Sequence, residues 1–437
     1  MQRSIVAALC FAATLAGCSA KSTTDEPVAS AGAAGSDASG GAGNASAGSG
    51  PVQLIPGEVL GPSGFRHPGV LVNRAQLDLV KAKLAQDAEP WASALKTVKA
   101  SPYASLDYVP HPVESVDCGP YSDPDHGCSA EQGDAIAAYT HALLWVLTGD
   151  EGSAKKSVEI MDAWSSMLKT HTLSNALPQS GWTGSVFTRA AEVMRYSYDG
   201  WPTSSIDRFA SMLKTAYLPI TIAGTASTVG GRYGLTANGN WEAVMIEAST
   251  AIAVFTDDRA TFDTALDMWR ARTKSYIYLK SDGPEPISPP GPQYSGAKLV
   301  TFWGGQAQFS EDGMGQEACR DFHHLEYGFA GIVDTAETAL IQGVDLYTEQ
   351  GPRIVAGLEF NAQFLNGTPI PSWLCNGMLD LKSGHSWEIA YNEYANRQHL
   401  DLPNTKQFVA SIRPTDADHH MVWETLTHAE VGSAGVQ

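Results

Sequence analysis

Apolar residues recur at helical spacing through most of this chain, and the breaks between the runs are only a few residues long. Ile136, Tyr139, Leu143 and Val146 form one stripe, Ile160, Met161, Trp164 and Leu168 the next, and Phe187, Ala190 and Met194 a third. The pattern resumes through Ile206, Phe209, Leu213 and Tyr217, then Trp241, Met245, Ala248 and Ile252, then Phe262, Ala265, Trp269 and Tyr276. Turn signals at Thr148-Gly149-Asp150, Gly200-Trp201-Pro202 and Asp257-Asp258 separate the runs, so consecutive helices must lie antiparallel. Convincing period-two strands are few. A long series of antiparallel helix pairs closes into a ring or stacks into a solenoid. No fixed-period repeat is present, so the expected fold is all-α, an irregular α/α toroid or incomplete barrel of helix pairs. In such a ring, inner helix ends and long loops line one cleft. The Pro- and Gly-rich stretch 281–315 is the expected functional loop.

The amino-terminal residues read as targeting signal and tether. Arg3 supplies a positive charge, Ile5 to Leu15 form an apolar run too short to span a bilayer, and Leu15-Ala16-Gly17-Cys18 resembles a bacterial lipobox. Residues 1–18 are therefore expected to be a lipoprotein signal peptide. Ser19 stands where an Asp would suggest retention at the inner membrane, so the expectation is export, with lipid anchoring at the outer membrane or periplasm, or secretion. Membrane contact is expected only through the lipid on Cys18. Residues 19–50 are rich in Ala, Gly and Ser and have too little apolar surface to offset the entropy of ordering, which predicts a flexible tether. No second low-complexity linker follows, so 51–437 is expected to be a single domain.

Of the six cysteines, setting aside Cys10 and Cys18 leaves four, an even number that in an exported chain favours disulfides. Cys118 with Cys128 and Cys319 with Cys375 is one of three possible pairings, preferred because the first pair is local. Neither pair has the CxxC spacing of structural zinc. His323-His324-x-Glu326 is not HExxH, and adjacent helical residues point apart, so no metal is expected there. Phosphate-binding glycine loops and nucleophile elbows are also missing, and no cofactor is expected. A formal net charge of −19 argues against nucleic acid or an anionic membrane surface as partner. It also means that an anionic substrate would need a locally basic cleft.

Arg320, His324 and Tyr327 carry the most chemistry. Read as helix, their spacing puts a guanidinium, an imidazole and a phenol on one face. Arg can neutralise a carboxylate bidentately, and His or Tyr can move a proton, which suits chemistry on a carboxylated sugar. Asn238-Gly239-Asn240-Trp241 precedes another helix, and an Asn at a helix start can donate its amide to a carboxylate in the positive end of the dipole. Gln179, Trp182 and Arg189 are candidates for sugar subsites, with Trp182 stacking on a pyranose. His419-His420 reads as a solvated polar tail.

Several of these segments together resemble one family. Asn238-Gly239-Asn240-Trp241-Glu242, Thr256-Asp257-Asp258-Arg259, Glu317-x-Cys319-Arg320-Asp321-x-x-His324, Ala336-Glu337-Thr338-Ala339, Gln342-Gly343-x-Asp345-Leu346-Tyr347 and His67-Pro68-Gly69 resemble the bacterial alginate-lyase domain family, especially glucuronan and alginate lyases of polysaccharide lyase family 38. The resemblance runs from about His67 to about Arg413. It implies an α/α toroid and β-elimination of an anionic uronic-acid polymer. In related toroidal lyases an Asn-His pair and a later Tyr do the work. Asn240 matches the Asn, Trp241 stands in place of the His, and His324 is the natural replacement. Tyr294 lies at about the expected separation, while Tyr327 sits on the helix that in other relatives carries a Tyr-His-x-Tyr run, so both tyrosines stay candidates. Trp387-Glu388-Ile389-Ala390-Tyr391-Asn392 also looks like the family, which makes Tyr391 and Asn392 candidates for closing the cleft.

The expectation is a polysaccharide lyase acting on β-1,4-linked uronates such as polymannuronate or glucuronan, with Asn240, Tyr294, Arg320 and His324 catalytic. Two other readings compete with it. A toroidal glycoside hydrolase would need two carboxylic acids facing one sugar bond. A surface glycan-binding lipoprotein without catalysis would fit Trp241 in place of a His.

Overall fold

The computed structural model describes residues 54–226, 239–289 and 294–432, apart from the side chains of 121 and 223–226. The expectations for the signal segment, the tether and Asn238 lie outside the described residues. From Gln53 onwards the chain forms one compact unit. Among the described residues no helix is long and apolar enough to cross a membrane.

Two kinds of helix build this unit. Cys128–Thr148, Ala176–Arg195, Gly239–Phe255 and Phe322–Ile341 are buried over nearly their whole circumference. Glu151–Met167, Thr203–Met212, Arg259–Tyr276 and Leu346–Leu365 bury one stripe and expose the other. A helix apolar or buried all round belongs inside, and an amphipathic one outside. The contacts follow that division. The Gly239–Phe255 helix packs against Ala176–Arg195, Phe322–Ile341 and Arg259–Tyr276, and Cys128–Thr148 packs against Glu151–Met167 and Ala176–Arg195. This is the inner and outer layering of an α/α toroid, as the periodicity predicts.

The turn signals act as expected. Gly149 ends its helix with φ of 75°, and Asp150 caps the next by accepting from the Gly152 amide at 3.1 Å. Asp258 and Asp345 cap their helices through the Thr261 and Thr348 amides at 3.1 and 2.9 Å. Close approach of the inner helices depends on glycine. A Cβ on Gly181 would lie 2.8 Å from Val244, and one on Gly331 would lie 2.8 Å from the Ala243 carbonyl carbon.

Two arginines inside the ring are ion-paired. Arg189, 2% exposed, donates to Glu247, to Asp334 at 2.7 Å and to the His420 carbonyl at 2.7 Å. Arg397 holds Glu337 at 2.8 Å and Glu393 at 2.9 Å. Both predicted disulfides are present, Cys118–Cys128 and Cys319–Cys375.

Candidate active site

A cleft of about 550 Å³ opens where inner helix ends meet three loops. Trp182, Trp241, Arg320, His324 and Tyr327 line it, together with His323 and His419. Pro120 and Ser122 come from the segment closed by Cys118–Cys128, Ser129 and Gln132 from the start of the Cys128–Thr148 helix, and Ser174 and Asn175 from the approach to the Ala176–Arg195 helix. The second disulfide joins Cys319, next to Arg320, to Cys375. Each disulfide thus braces one part of the cleft lining.

His324 is positioned from below by the helix cap. The Phe322–Ile341 helix starts one residue after Asp321, whose carboxylate accepts from the His324 amide at 2.8 Å and lies 2.7 Å from His324 Nδ1. Burial works against charge on Asp321, but the hydrogen bonds from the His324 ring and amide outweigh it and hold the carboxyl below its usual range. A carboxylate on Nδ1 fixes the proton there and leaves the lone pair on Nε2.

Arg320 precedes this helix and does not share a helical face with His324 and Tyr327, which corrects the sequence reading. It is a turn residue, one-third exposed, steadied by Glu317 Oε1 at 3.3 Å. Glu317 also accepts from the Asn240 amide nitrogen at 2.8 Å and from Asn240 Nδ2 at 2.7 Å. Burial pushes the Glu317 carboxyl up, against the pull of Arg320 and His324. Asn240 is fully buried within the Gly239–Phe255 helix, with its side-chain nitrogen turned to Glu317. Its neighbour Trp241 reaches the cleft in its place.

Tyr327 belongs to a network the sequence reading missed. Its hydroxyl lies 3.0 Å from Asp418 Oδ2 and 2.8 Å from His419 Nδ1, and His419 Nδ1 is 2.7 Å from Asp418 Oδ1. His323 Nε2 approaches Asp418 Oδ2 at 2.7 Å. Burial and then the Asp418 charge push the Tyr327 phenol far above its ordinary value, so it stays protonated. Burial also opposes charge on Asp418, but hydrogen bonds from His323 and His419 overcome it and keep that carboxyl strongly ionised. Trp182 packs on this cluster, 5.8 Å from the Tyr327 ring and 4.5 Å from His419.

The structure places other candidates elsewhere. His419-His420 is no solvated tail. It forms the turn of a hairpin, Ala417–Asp418 with Met421–Val422, in which His420 is fully buried and lies 3.2 Å from the Tyr327 carbonyl. Gln179 is buried, donating to Glu131 at 2.7 Å and the Cys128 carbonyl at 3.0 Å while accepting from Gln132 at 3.2 Å. It supports a lining residue, Gln132, and is not itself among the described residues of the cleft. Arg189 is likewise committed to the core ion network, because two carboxylates and a carbonyl already surround it. Asn392 is fully buried and donates to the Val431 carbonyl at 2.9 Å, and neither it nor Tyr391 lines the cleft. Tyr294 packs against Phe302 at 4.9 Å with its amide donated to Ser288 Oγ at 2.8 Å, and it is not among the described lining residues.

Nothing in helical periodicity points to this hairpin of two-residue strands.

The family model described as alginate lyase matches residues 80–285. No match is found among curated proteins. An alginate lyase from Bacteroides ovatus superposes with a TM-score of 0.55 at 15% identity, covering 81% of this chain and 98% of that one. Alginate lyase A1-III from Sphingomonas species A1 gives 0.52 at 15% identity, over 77% and 94%. A tyrosine-to-phenylalanine variant of alginate lyase A1-III, complexed with tetrasaccharide, gives 0.55 at 16% identity, over 83% and 97%. Residues 80–285 thus match the alginate lyase family, the family that the motifs resemble, and the chain has the fold of alginate lyases of known structure.

Proposed function

We propose that this chain is a polysaccharide lyase that cleaves uronate polymers by β-elimination, with polymannuronate, alginate or glucuronan as substrate. One observation carries the assignment of roles: Arg320, His324 and Tyr327 line one cleft. Elimination at a uronate needs the carboxylate neutralised, the weakly acidic C5 proton withdrawn and the departing O4 protonated. Arg320, one-third exposed and oriented by Glu317, is the cation for the carboxylate. His324, with Asp321 on Nδ1, presents Nε2 as base. Tyr327, held protonated by burial and Asp418, is the acid, with His419 in hydrogen-bond contact to return its proton. Trp182 and Trp241 supply flat apolar surface for pyranose faces.

A hydrolase is less well supported. Among the described residues that line the cleft there is no Asp or Glu, whereas hydrolysis of a sugar bond uses two carboxyl groups. The lipobox-like Leu15-Ala16-Gly17-Cys18 supports export, with Cys18 as lipid anchor, which would put the enzyme where polymers are met.

The test is incubation with a panel of polyuronates while ultraviolet absorbance is followed. A lyase generates an unsaturated, absorbing uronate end, and His324→Ala should lose at least about 10²-fold in rate, the scale of a lost general base. Saturated reducing ends without absorbance would overturn the assignment.

A further inference from the structure

We propose that His323, His385 and Asp418 form a binding site for a divalent transition ion of the zinc type beside the cleft. The three residues come from separate segments. His323 lies in the first turn of the Phe322–Ile341 helix, His385 in the loop before Glu388–Tyr391, and Asp418 in the Ala417–Asp418 strand. The fold nevertheless brings one ligand atom of each within 4.8 Å of the others. Zinc held at about 2.0–2.2 Å by nitrogen and oxygen puts its ligand atoms roughly 3–4 Å apart. His323 Nε2 and Asp418 Oδ2, now 2.7 Å apart, would part slightly, and His385 would move inward by about an ångström. The side chains permit this, being 35%, 30% and 23% exposed for His323, His385 and Asp418, and that exposure leaves room for water as a further ligand.

The surroundings have the form that supports metal ligands. Asp416 Oδ1 lies 2.6 Å from His385 Nδ1, which keeps a proton there and the lone pair on Nε2. His419 Nδ1 braces the other oxygen of Asp418 at 2.7 Å. Two imidazoles and one carboxylate favour zinc, or cobalt as its spectroscopic substitute, over magnesium or calcium, which prefer oxygen. The pairing differs from the adjacent His323-His324 that the sequence argues against. Asp418 Oδ2 also lies 3.0 Å from the Tyr327 hydroxyl. An ion there would draw charge from the oxygen to which Tyr327 donates and weaken that hydrogen bond, so occupancy should register at the cleft; this consequence alone rests on the lyase assignment.

The experiment uses the whole chain, stripped with chelator and dialysed against zinc, with metal content measured by elemental analysis. One zinc per chain is expected. His323→Gln and His385→Gln should each weaken binding at least tenfold, and Asp416→Ala, which removes the acceptor from His385 Nδ1, about 10- to 100-fold. Cobalt(II) added to the unaltered chain should give the visible bands of an imidazole-bound ion of low coordination number, a readout that needs no variant to fold. Zinc content no higher than the dialysis blank, zinc unchanged by both histidine substitutions, or a cobalt spectrum like that of the ion in water would each overturn the site.

Discussion

Tyr327 and Tyr294 are the residues on which the chemical reading turns. Loop position and family resemblance favour Tyr294, but in the structure Tyr294 packs on Phe302, while Tyr327 lines the cleft within reach of Asp418 and His419. Tyr327→Phe removes one hydroxyl and little volume, so turnover on the best polyuronate should fall about 10²-fold or more with the fold retained by circular dichroism. Tyr294→Phe should change the rate far less, and the opposite ranking would return the acid to the loop. The sequence made Arg320, His324 and Tyr327 legible because short spacing within one segment survives uncertainty about the fold. It misplaced Arg320 on the helix because Asp321, a strong N-cap, was read as a helical interior residue. Gln179 and Arg189 were misassigned for a different reason. A polar residue on an inner helix can face either a cleft or the ring's interior, and only the positions of Glu131, Glu247 and Asp334 decide which.

At the scale of elements, apolar spacing locates the helices between 136 and 276 but not which of them lie inside the ring, and Gly149, Asp150 and Asp258 mark ends that the structure keeps. Periodicity cannot reveal a hairpin of two-residue strands, so the Ala417–Asp418 and Met421–Val422 pair went unseen although it carries Asp418 and His419 to the cleft. The disulfides were predictable from parity and locality, and their placement gives them a role beyond stability. Cys319 lies beside Arg320, and its partner Cys375 accompanies a turn whose amide donates to Gln306 at 2.7 Å. Replacing both Cys319 and Cys375 by Ser should cost about 2–5 kcal/mol of unfolding free energy. It should also raise KM for the polymer, because the turn bearing Arg320 loses its tether. Stability lowered with KM unchanged in chemical denaturation and initial-rate measurements would show that the bridge does not position Arg320.

Across the whole molecule, net charge and local charge point in opposite directions. The chain carries a formal −19, yet the one fixed charge among the described residues lining the cleft is the cation of Arg320, which gives an anionic polymer a positive group to meet. Burial elsewhere sets the response to acid. His141, buried with Nε2 3.2 Å from the Ser105 carbonyl, is pushed down from 6.5 to about 4, burial being the main cause. As pH falls through that window the unfolded chain takes up a proton that the folded chain refuses, so stability declines from about 6.5 and levels off below about 4. His141→Gln, which can still donate to Ser105, should flatten that decline in thermal melts taken across the window; an unchanged slope would place the acid sensitivity elsewhere. The central claim is that the sugar bond breaks by elimination and not by attack of water. Cleavage of polyuronate in heavy-oxygen water, with the fragments weighed by mass spectrometry, tests it most directly. The account predicts that every new non-reducing end lacks one water, is unsaturated and leaves its partner fragment free of label introduced by bond cleavage at early times, whereas saturated ends with heavy oxygen incorporated at the cleaved bond would contradict it.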